Sequence, residues 1–427
     1  MKLTIFQSEK GDCLLLSSGS GAAATHVLVD GGMRRSYRDH VARAVSRLPH
    51  LDLVYVSHID QDHISGVLQL IDDAFDWKLF RLRQKRGDAH PRPESPEPPE
   101  IRAVWHNAFH DQVSANAGDV EDMLIATANI ASAREELREA AIRNEEYATS
   151  IPEALQLSAR IGIKQLGLKV NQGRGKLLMA KKKQRPINVG PISFTIIGPF
   201  ANELRDLKKK WNEWLQSNVG KQAVKRLRAR SKDDAKAITA ASFEDLTDQM
   251  LIQAQKLGDR ASVTAPNLAS LMVLAEEDGK TILFTGDGHW QTVLDGLESA
   301  GVIDRGDPLH VNVLKVQHHG SEHNIARDFT DRISADHYVF CGNGAHKNPD
   351  LDVVQLLFDS RVGNERSPNA PDRRFHFWFN SHSSVTDVKN RPHMRKLESL
   401  VEKLAAKSGG RLIPHFLTKS AFPPLKV

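Results

Sequence analysis

Short apolar runs that end in histidine and carboxylate side chains recur along this chain of 427 residues. Such runs occupy residues 53–56, 281–284 and 311–316, and apolar segments of this length between polar stretches are typical of buried β-strands. The motifs that follow them are Ser57-His58-Ile59-Asp60-Gln61-Asp62-His63, Thr285-Gly286-Asp287 and Gln317-His318-His319-Gly320-Ser321. The pattern therefore predicts three strands that carry potential metal ligands at their carboxyl ends.

The rest of the pattern alternates short strands with helices. Further strands are predicted at residues 3–7, 12–17, 26–30, 192–198, 338–341 and 375–380. Apolar positions at helical spacing predict one helix at 41–48, before the first motif, and another at 397–404. This alternation predicts an α/β (α+β) fold.

The length of the chain and the order of its motifs predict one core that is interrupted by a large insertion. We expect residues 1–110 to form the first half of the core. Residues 111–260 would form a mostly helical, basic insertion that also contains a core strand near 192–198. Residues 261–427 would form the second half of the core, with a C-terminal strand and helix. A proline-rich loop is expected at 86–100.

The composition and the first residues of the chain indicate the cellular compartment in which we expect the protein. The chain has no run of about 18 apolar residues that could span a membrane, and its first residues lack a secretion signal. The formal net charge is +5. Cys13 and Cys341 both fall in predicted buried strands, which favours core thiols in a reducing compartment over a disulfide. We therefore expect a cytoplasmic protein without a membrane partner.

Clustered histidine and aspartate side chains form a ligand set suited to Zn²⁺ or Mn²⁺. The motifs His-x-Asp-x-Asp-His at 58–63, Phe-Thr-Gly-Asp at 284–287 and Leu-Lys-Val-x-His-His-Gly-Ser at 314–321 resemble the metallo-β-lactamase superfamily. Within it they are most similar to the soluble hydrolase domain of the ComEC DNA-uptake proteins and their free-standing relatives. The likeness covers residues 1 to about 110 and about 190 to 350. It implies an αββα sandwich that binds two divalent metal ions.

The resemblance also implies a set of metal ligands. They are His58, Asp60, Asp62, His63, His106, Asp287, His318 and His319. His106 follows the predicted strand at 101–105, and His110 is the alternative. Adjacent residues of a strand point in opposite directions, so one of His318 and His319 is expected to be a ligand and the other to contact the substrate or support a ligand. Asp60 stands where the commoner family motif has a histidine, which could favour Mn²⁺ over Zn²⁺.

Further roles follow from the same resemblance. Asp62, Asp287 and His346 are the candidate catalytic residues. His346 lies in a loop near the expected substrate position, although a loop histidine without a role is the alternative. Asp30, Asn267 and Ser270 are expected to support the ligands through hydrogen bonds.

Basic residues cluster in the predicted insertion. The positions are Lys208, Lys209, Lys210, Lys225, Arg226, Arg228 and Arg230. Such clusters beside a phosphodiesterase site could bind nucleic-acid phosphates, although runs of charge also occur on solvated helix faces. Trp211 or Trp214 could stack on a base, with a place in the core as the alternative.

The expected function is therefore metal-dependent hydrolysis. Two ions would lower the pKa of bound water and so make hydroxide available at neutral pH, most plausibly for attack on a nucleic-acid phosphodiester. Hydrolysis of a small molecule, such as a cyclic nucleotide or a carboxylic ester, is one alternative. Another is a subunit of a multiprotein bacterial system, for example anti-phage defence, in which the insertion binds a protein partner.

Overall fold

The computed structural model describes most of the two halves of the predicted core. The described residues are 1–87, 91–107, 153–154, 157, 160–161, 166–171, 177–206, 269–363, 366–367 and 370–427. Every structural statement below concerns these residues.

Seventeen strands are present in the described part of the chain. In chain order they are β1 (Lys2–Ile5), β2 (Leu14–Ser18), β3 (Thr25–Val29), β4 (His50–Leu51), β5 (Leu53–Tyr55), β6 (Glu100–Ile101), β7 (Ala103–Trp105), β8 (Lys169–Val170), β9 (Ile187–Val189), β10 (Ile192–Gly198), β11 (Met272–Glu277), β12 (Lys280–Phe284), β13 (Leu309–Lys315), β14 (Ile333–Phe340), β15 (Phe375–Phe379), β16 (Leu412–Phe416) and β17 (Leu425–Lys426).

The described helices lie mostly between strands that run parallel. They are α1 (Arg34–Ser36), α2 (Ala42–Val45), α3 (Gln61–Arg86), α4 (Trp290–Ala300), α5 (Arg327–Arg332), α6 (Leu351–Asp359) and α7 (Arg391–Lys407). A π-helical turn, Tyr37–Val41, joins α1 to α2. Residues 201–206 are also helical. None of the described helices combines the length and apolar character that a membrane span requires.

The strands form two large sheets and one small one. The first sheet has the order β17-β1-β2-β3-β5-β7-β8, and the second has the order β16-β15-β14-β13-β12-β11-β10-β9. β4 and β6 pair separately. Strands β3, β5 and β7 run parallel in the first sheet, and β12 to β16 run parallel in the second. Because parallel strands end at the same edge of a sheet, the polar motifs after β5, β12 and β13 are carried to sheet edges.

Three apolar clusters connect these elements. One packs α3 against the first sheet, through residues such as Ile64 and Val54. A second packs α4 to α7 against the second sheet, through residues such as Leu297 and Phe377. The third contains residues of both sheets, such as Val27 and Val313. The two sheets therefore share an inner core and are covered by helices on the other side, so apolar residues are buried on both faces of each sheet.

The mixed α/β class predicted from the sequence is confirmed. The predicted strand regions correspond to β1, β2, β3, β10, β14 and β15. Within the region predicted as a mostly helical insertion, the structure also contains the short strands β8 and β9, which the sequence pattern did not indicate. These strands are only two and three residues long, so they carry too little periodicity to predict. Cys13 and Cys341 are buried free thiols.

A cluster of partly buried rings lies on the second sheet, beside the core that the two sheets share. Trp378 stacks on His415 with 3.8 Å between ring centroids and donates a hydrogen bond of 3.1 Å to Nδ1 of His337. His376 Nδ1 lies 3.0 Å from His415 Nε2. Burial, and then the proximity of His376, lower the pKa of both His337 and His415 to about 4.

We predict that this cluster makes the fold sensitive to acid. A histidine has a pKa of about 6.5 in the unfolded chain, so the unfolded chain binds more protons between pH 6.5 and pH 4. The contribution of His337 and His415 to the free energy of unfolding is therefore fully present above about pH 6.5. It is lost as the pH falls towards about 4. The variant His415→Phe keeps a ring on Trp378 but cannot titrate, so it should lose less stability than wild type between pH 7 and pH 4.5.

Urea unfolding at the two pH values measures this difference. The variant His323→Gln, at an exposed position, controls for the loss of a histidine as such. Equal pH dependence in His415→Phe and wild type would contradict the prediction.

Candidate metal centre

Asp287 is the buried centre around which the motif histidines gather. It follows β12 and is 2% exposed. The Nε2 atoms of His63 and His319 lie 3.3 Å from its carboxylate oxygens, and those of His318 and His58 lie 3.7 and 3.8 Å away. The first and second sheets each contribute two of these histidines, so the centre forms only where the two sheet edges meet.

Each of these histidines has its Nδ1 atom close to a protein oxygen, at hydrogen-bond geometry for His58, His63 and His318 and at ion-pair distance for His319. The Nδ1 contacts are His58 to Ser57 Oγ at 3.0 Å, His63 to Asp30 Oδ2 at 2.9 Å, His318 to Asn324 Oδ1 at 2.8 Å and His319 to Asp12 Oδ1 at 3.2 Å. A proton on Nδ1 leaves the lone pair on Nε2, which is the nitrogen that faces Asp287. This tautomer is the one that binds a metal ion through Nε2.

The Nε2 atoms themselves fit a cation. Those of His58, His63 and His319 are buried and make no hydrogen bond within the described residues. They face carboxylate oxygens of Asp287 at 3.3–3.8 Å, and an imidazole lone pair repels a carboxylate at that distance. A divalent cation between these nitrogen and oxygen atoms would replace repulsion by ligation.

Two further carboxylates extend the ligand set on either side. Asp60 Oδ2 lies 3.5 Å from His58 Nε2, and Asp62 Oδ2 lies 3.3 Å from His319 Nε2. The ring of His63 lies between the rings of His58 and His319, at centroid distances of 4.0 and 5.2 Å. The centre therefore has two sides that share Asp287. We call them the His58 side, which includes Asp60, and the His319 side, which includes Asp62.

Charges inside the centre shift the pKa values of its histidines in different directions. Burial, and then the neighbouring His63, lower the pKa of His58 to about 4. Burial also opposes protonation of His63 and His319, but Asp287 together with Asp12 and the other nearby carboxylates outweighs it and raises the pKa of both histidines. Asp287 thus attracts positive charge to the nitrogen atoms around it, whether as a proton or as a metal ion.

Close backbone packing fixes the first motif. Its turn begins α3 at Asp60, whose carbonyl accepts hydrogen bonds of 3.0 Å from the amides of His63 and Ile64. One turn later Gly66 packs on Gly31, where a Cβ on Gly66 would lie 1.9 Å from the Gly31 carbonyl oxygen. Only glycine permits this approach. The contact holds the start of α3 against the end of β3, next to Asp30.

The adjacent residues His318 and His319 both face Asp287, which differs from the sequence-based expectation. Their φ angles are 44° and 56°, and Gly320 follows with φ of 87°. The expectation assumed extended backbone, in which neighbouring side chains diverge, whereas left-handed backbone brings both rings to one side. The side chain of His319 is 6% exposed and that of His318 is 22% exposed. His319 is enclosed, and His318 lies at the accessible side of the centre.

The other predicted site residues fall partly within and partly outside the described residues. Ser270 Oγ accepts a hydrogen bond of 3.2 Å from the Asp287 amide. His106 is buried after β7, where its backbone amide donates to Asn171 Oδ1 at 2.9 Å. His346 has φ of 55° in the turn after β14. Outside the described residues lie Asn267, the alternative ligand His110, both tryptophans of the insertion, and its basic residues Lys208, Lys209, Lys210, Lys225, Arg226, Arg228 and Arg230.

The sequence analysis assigned no role to four residues that contact the centre, namely Asp12, Ser57, Lys315 and Asn324. Lys315 is 2% exposed at the end of β13 and lies 3.4 Å from Asp287 Oδ1. Burial alone would lower the pKa of Lys315, but Asp12 and then Asp287 raise it, so the lysine stays charged. The sequence did contain a signal for this ion pair, because Lys315 lies inside the mostly apolar run 311–316. A buried strand contains a charged side chain only when that charge is paired.

No protein-family model matches this chain, and the search of curated proteins finds no match.

We predict that the protein binds about two divalent ions per chain after preparation with Zn²⁺ or Mn²⁺. The variant Asp287→Asn keeps the size of the side chain but removes the charge that both sides share, so metal content should fall sharply while circular dichroism stays unchanged. Elemental analysis of dialysed protein measures this, and Asp304→Asn, at an exposed carboxylate, is the control. Loss of the fold in Asp287→Asn would instead mark Asp287 as a structural residue.

Proposed function

We propose that this chain is a metal-dependent hydrolase with the αββα architecture of the metallo-β-lactamase superfamily, and that it hydrolyses phosphodiester bonds of nucleic acid. The observation that carries the proposal is the convergence of four histidine Nε2 atoms on the Asp287 carboxylate. Two facing sheets with helices outside them, and a centre at their adjoining edges, are what that architecture requires.

The charge of the centre supports two divalent ions. Asp12, Asp30, Asp60, Asp62 and Asp287 contribute five carboxylates, and Lys315 contributes one ammonium group. Five negative charges and one positive charge leave four in excess when the histidines are neutral. Two dications would neutralise this excess, and a buried excess of that size is otherwise very costly.

The residues of the chain would divide the work of hydrolysis. Bound dications would activate water for attack and neutralise charge that develops on a phosphodiester oxygen. Asp287, His63 and His319, which are enclosed, would fix the positions of the ions. His318 lies on the accessible side with its ring oriented by Asn324, so it is the residue placed to meet a substrate.

We predict hydrolysis that requires a divalent ion and that Asp287→Asn abolishes. The test compares single-stranded DNA, duplex DNA, RNA, cyclic nucleotides, a bis-aryl phosphodiester and a carboxylic ester, each with Zn²⁺, with Mn²⁺ and with chelator. Cleavage of the polymers and of the bis-aryl phosphodiester is expected. Activity on cyclic nucleotides or the ester alone would overturn the assignment to nucleic acid, and metal binding without turnover of any substrate would favour a role as a subunit of a larger system.

A second prediction concerns the basic residues of the insertion, which are known from the sequence alone. If they contact phosphates, duplex affinity should fall with salt, with each neutralised phosphate adding about −0.9 to the log–log slope. The triple variant Lys208→Ala, Lys209→Ala, Lys210→Ala should flatten this slope while turnover of the bis-aryl phosphodiester stays nearly unchanged. The matched control replaces three exposed lysines of α7, Lys396, Lys403 and Lys407, with alanine. An unaltered slope would assign the three lysines of the insertion to a solvated surface.

A further inference from the structure

Asp12 and Lys315 form a buried ion pair next to the candidate metal centre. Both residues are 2% exposed, and the Lys315 ammonium contacts Asp12 Oδ2. The same ammonium donates a hydrogen bond of 2.9 Å to the Gly286 carbonyl and lies 3.4 Å from Asp287 Oδ1. Lys315 therefore contacts both Asp12 and Asp287, the carboxylate that the motif histidines face.

The second oxygen of Asp12 contacts a candidate ligand. Asp12 Oδ1 lies 3.2 Å from Nδ1 of His319, and Oδ2 lies 3.8 Å from Nδ1 of His63. These Nδ1 atoms are on the opposite edge of each ring from the Nε2 atoms that face Asp287. The charge of Asp12 is thus placed to orient the His319 ring, since a metal ion held by Nε2 would lie on the far side of that ring.

The backbone packs Asp12 into this position. A Cβ on the preceding residue, Gly11, would lie 1.7 Å from the carbonyl oxygen of Asp62. The loop that carries Asp12 therefore contacts the turn that carries Asp62, and only glycine allows that contact. Asp12 is held next to the His319 side of the centre, whereas the His58 ring has its Nδ1 held by Ser57.

We propose that Asp12 and Lys315 are positioning residues for the His319 side of the centre, with Lys315 holding Asp12 and Asp287 in place and Asp12 holding His319. The inference rests on the proposed binding of two divalent ions. It predicts that loss of the pair weakens the ion on the His319 side more than the ion on the His58 side, because Asp12 contacts His319 whereas both sides share Asp287.

An ion pair that only fills the core would behave differently. Removing one partner of a buried pair leaves an unpaired charge and destabilises the fold strongly, whereas replacing both partners by neutral groups is often close to neutral. Stability alone therefore cannot distinguish positioning from packing. Metal affinity can, because a core-filling pair has no reason to affect one ion more than the other.

The experiment uses Asp12→Asn, Lys315→Met and the double variant that combines them. The free energy of unfolding of the apo protein should fall in each single variant and recover in the double variant. Calorimetric titration of chelator-treated protein with Zn²⁺, and separately with Mn²⁺, should show two ions bound by wild type. In the double variant the affinities for the two ions should fall unequally, and the more affected ion should bind about 10- to 100-fold more weakly, the range expected when a group that orients a ligand is removed.

The matched control is Asp52→Asn. Asp52 is also a carboxylate beside a buried histidine, since its Oδ2 lies 3.2 Å from His50 Nε2, but it is remote from the motif histidines in the fold. This variant should retain both affinities.

The outcomes separate the inference from the proposed function. If wild type binds no divalent ion, the proposed function fails and the inference fails with it. If wild type binds two ions and the folded double variant binds both with unchanged affinity, the inference alone is overturned and the pair only fills the core. Failure of the double variant to fold would overturn it too, because the pair would then act in folding.

Discussion

The structure depends on placing the Asp287 carboxylate, together with its acidic neighbours, out of contact with water. A carboxylate with 2% exposure must be matched by positive charge or hydrogen bonds, and the surrounding elements can be understood as the means of supplying them. Ser270 supports it through the backbone amide, and Lys315 contacts one of its oxygens. The histidine Nε2 atoms that face it complete a group of buried side chains that could hold a metal ion.

Bringing these side chains together requires backbone conformations that most sequences avoid. Asp30, His318 and His319 all have positive φ, and Gly31 packs on Gly66 more closely than any side chain would permit. Strained backbone of this kind persists when the surrounding structure holds it, and it concentrates at functional sites. Here the two parallel strand groups hold it, because β3 and β5 end beside each other in one sheet and β12 and β13 do so in the other.

The same arrangement divides the centre into an enclosed part and an accessible part. His63 and His319 lie inside, each with a carboxylate at its Nδ1 atom, and their positions leave little freedom for a bound ion. His318 lies at the accessible side, where an amide oxygen of Asn324 holds its ring. Under the proposed function, a substrate would approach from the His318 side, and the Asp12–Lys315 pair would support the enclosed side.

Sequence alone determined the features that are local in the chain. The motif at 58–63 joins a strand to a helix, so its ligands lie together whatever the rest of the fold does, and the apolar runs before Asp287 and His318 indicated strands for the same reason. The tertiary structure decided which distant residues complete the centre. Asp12 reaches His319 across more than 300 positions of sequence, and no periodicity encodes such a contact. It also decided that His318 and His319 face the same way, because left-handed backbone at adjacent non-glycine residues is stabilised by surrounding packing and not by their own preference.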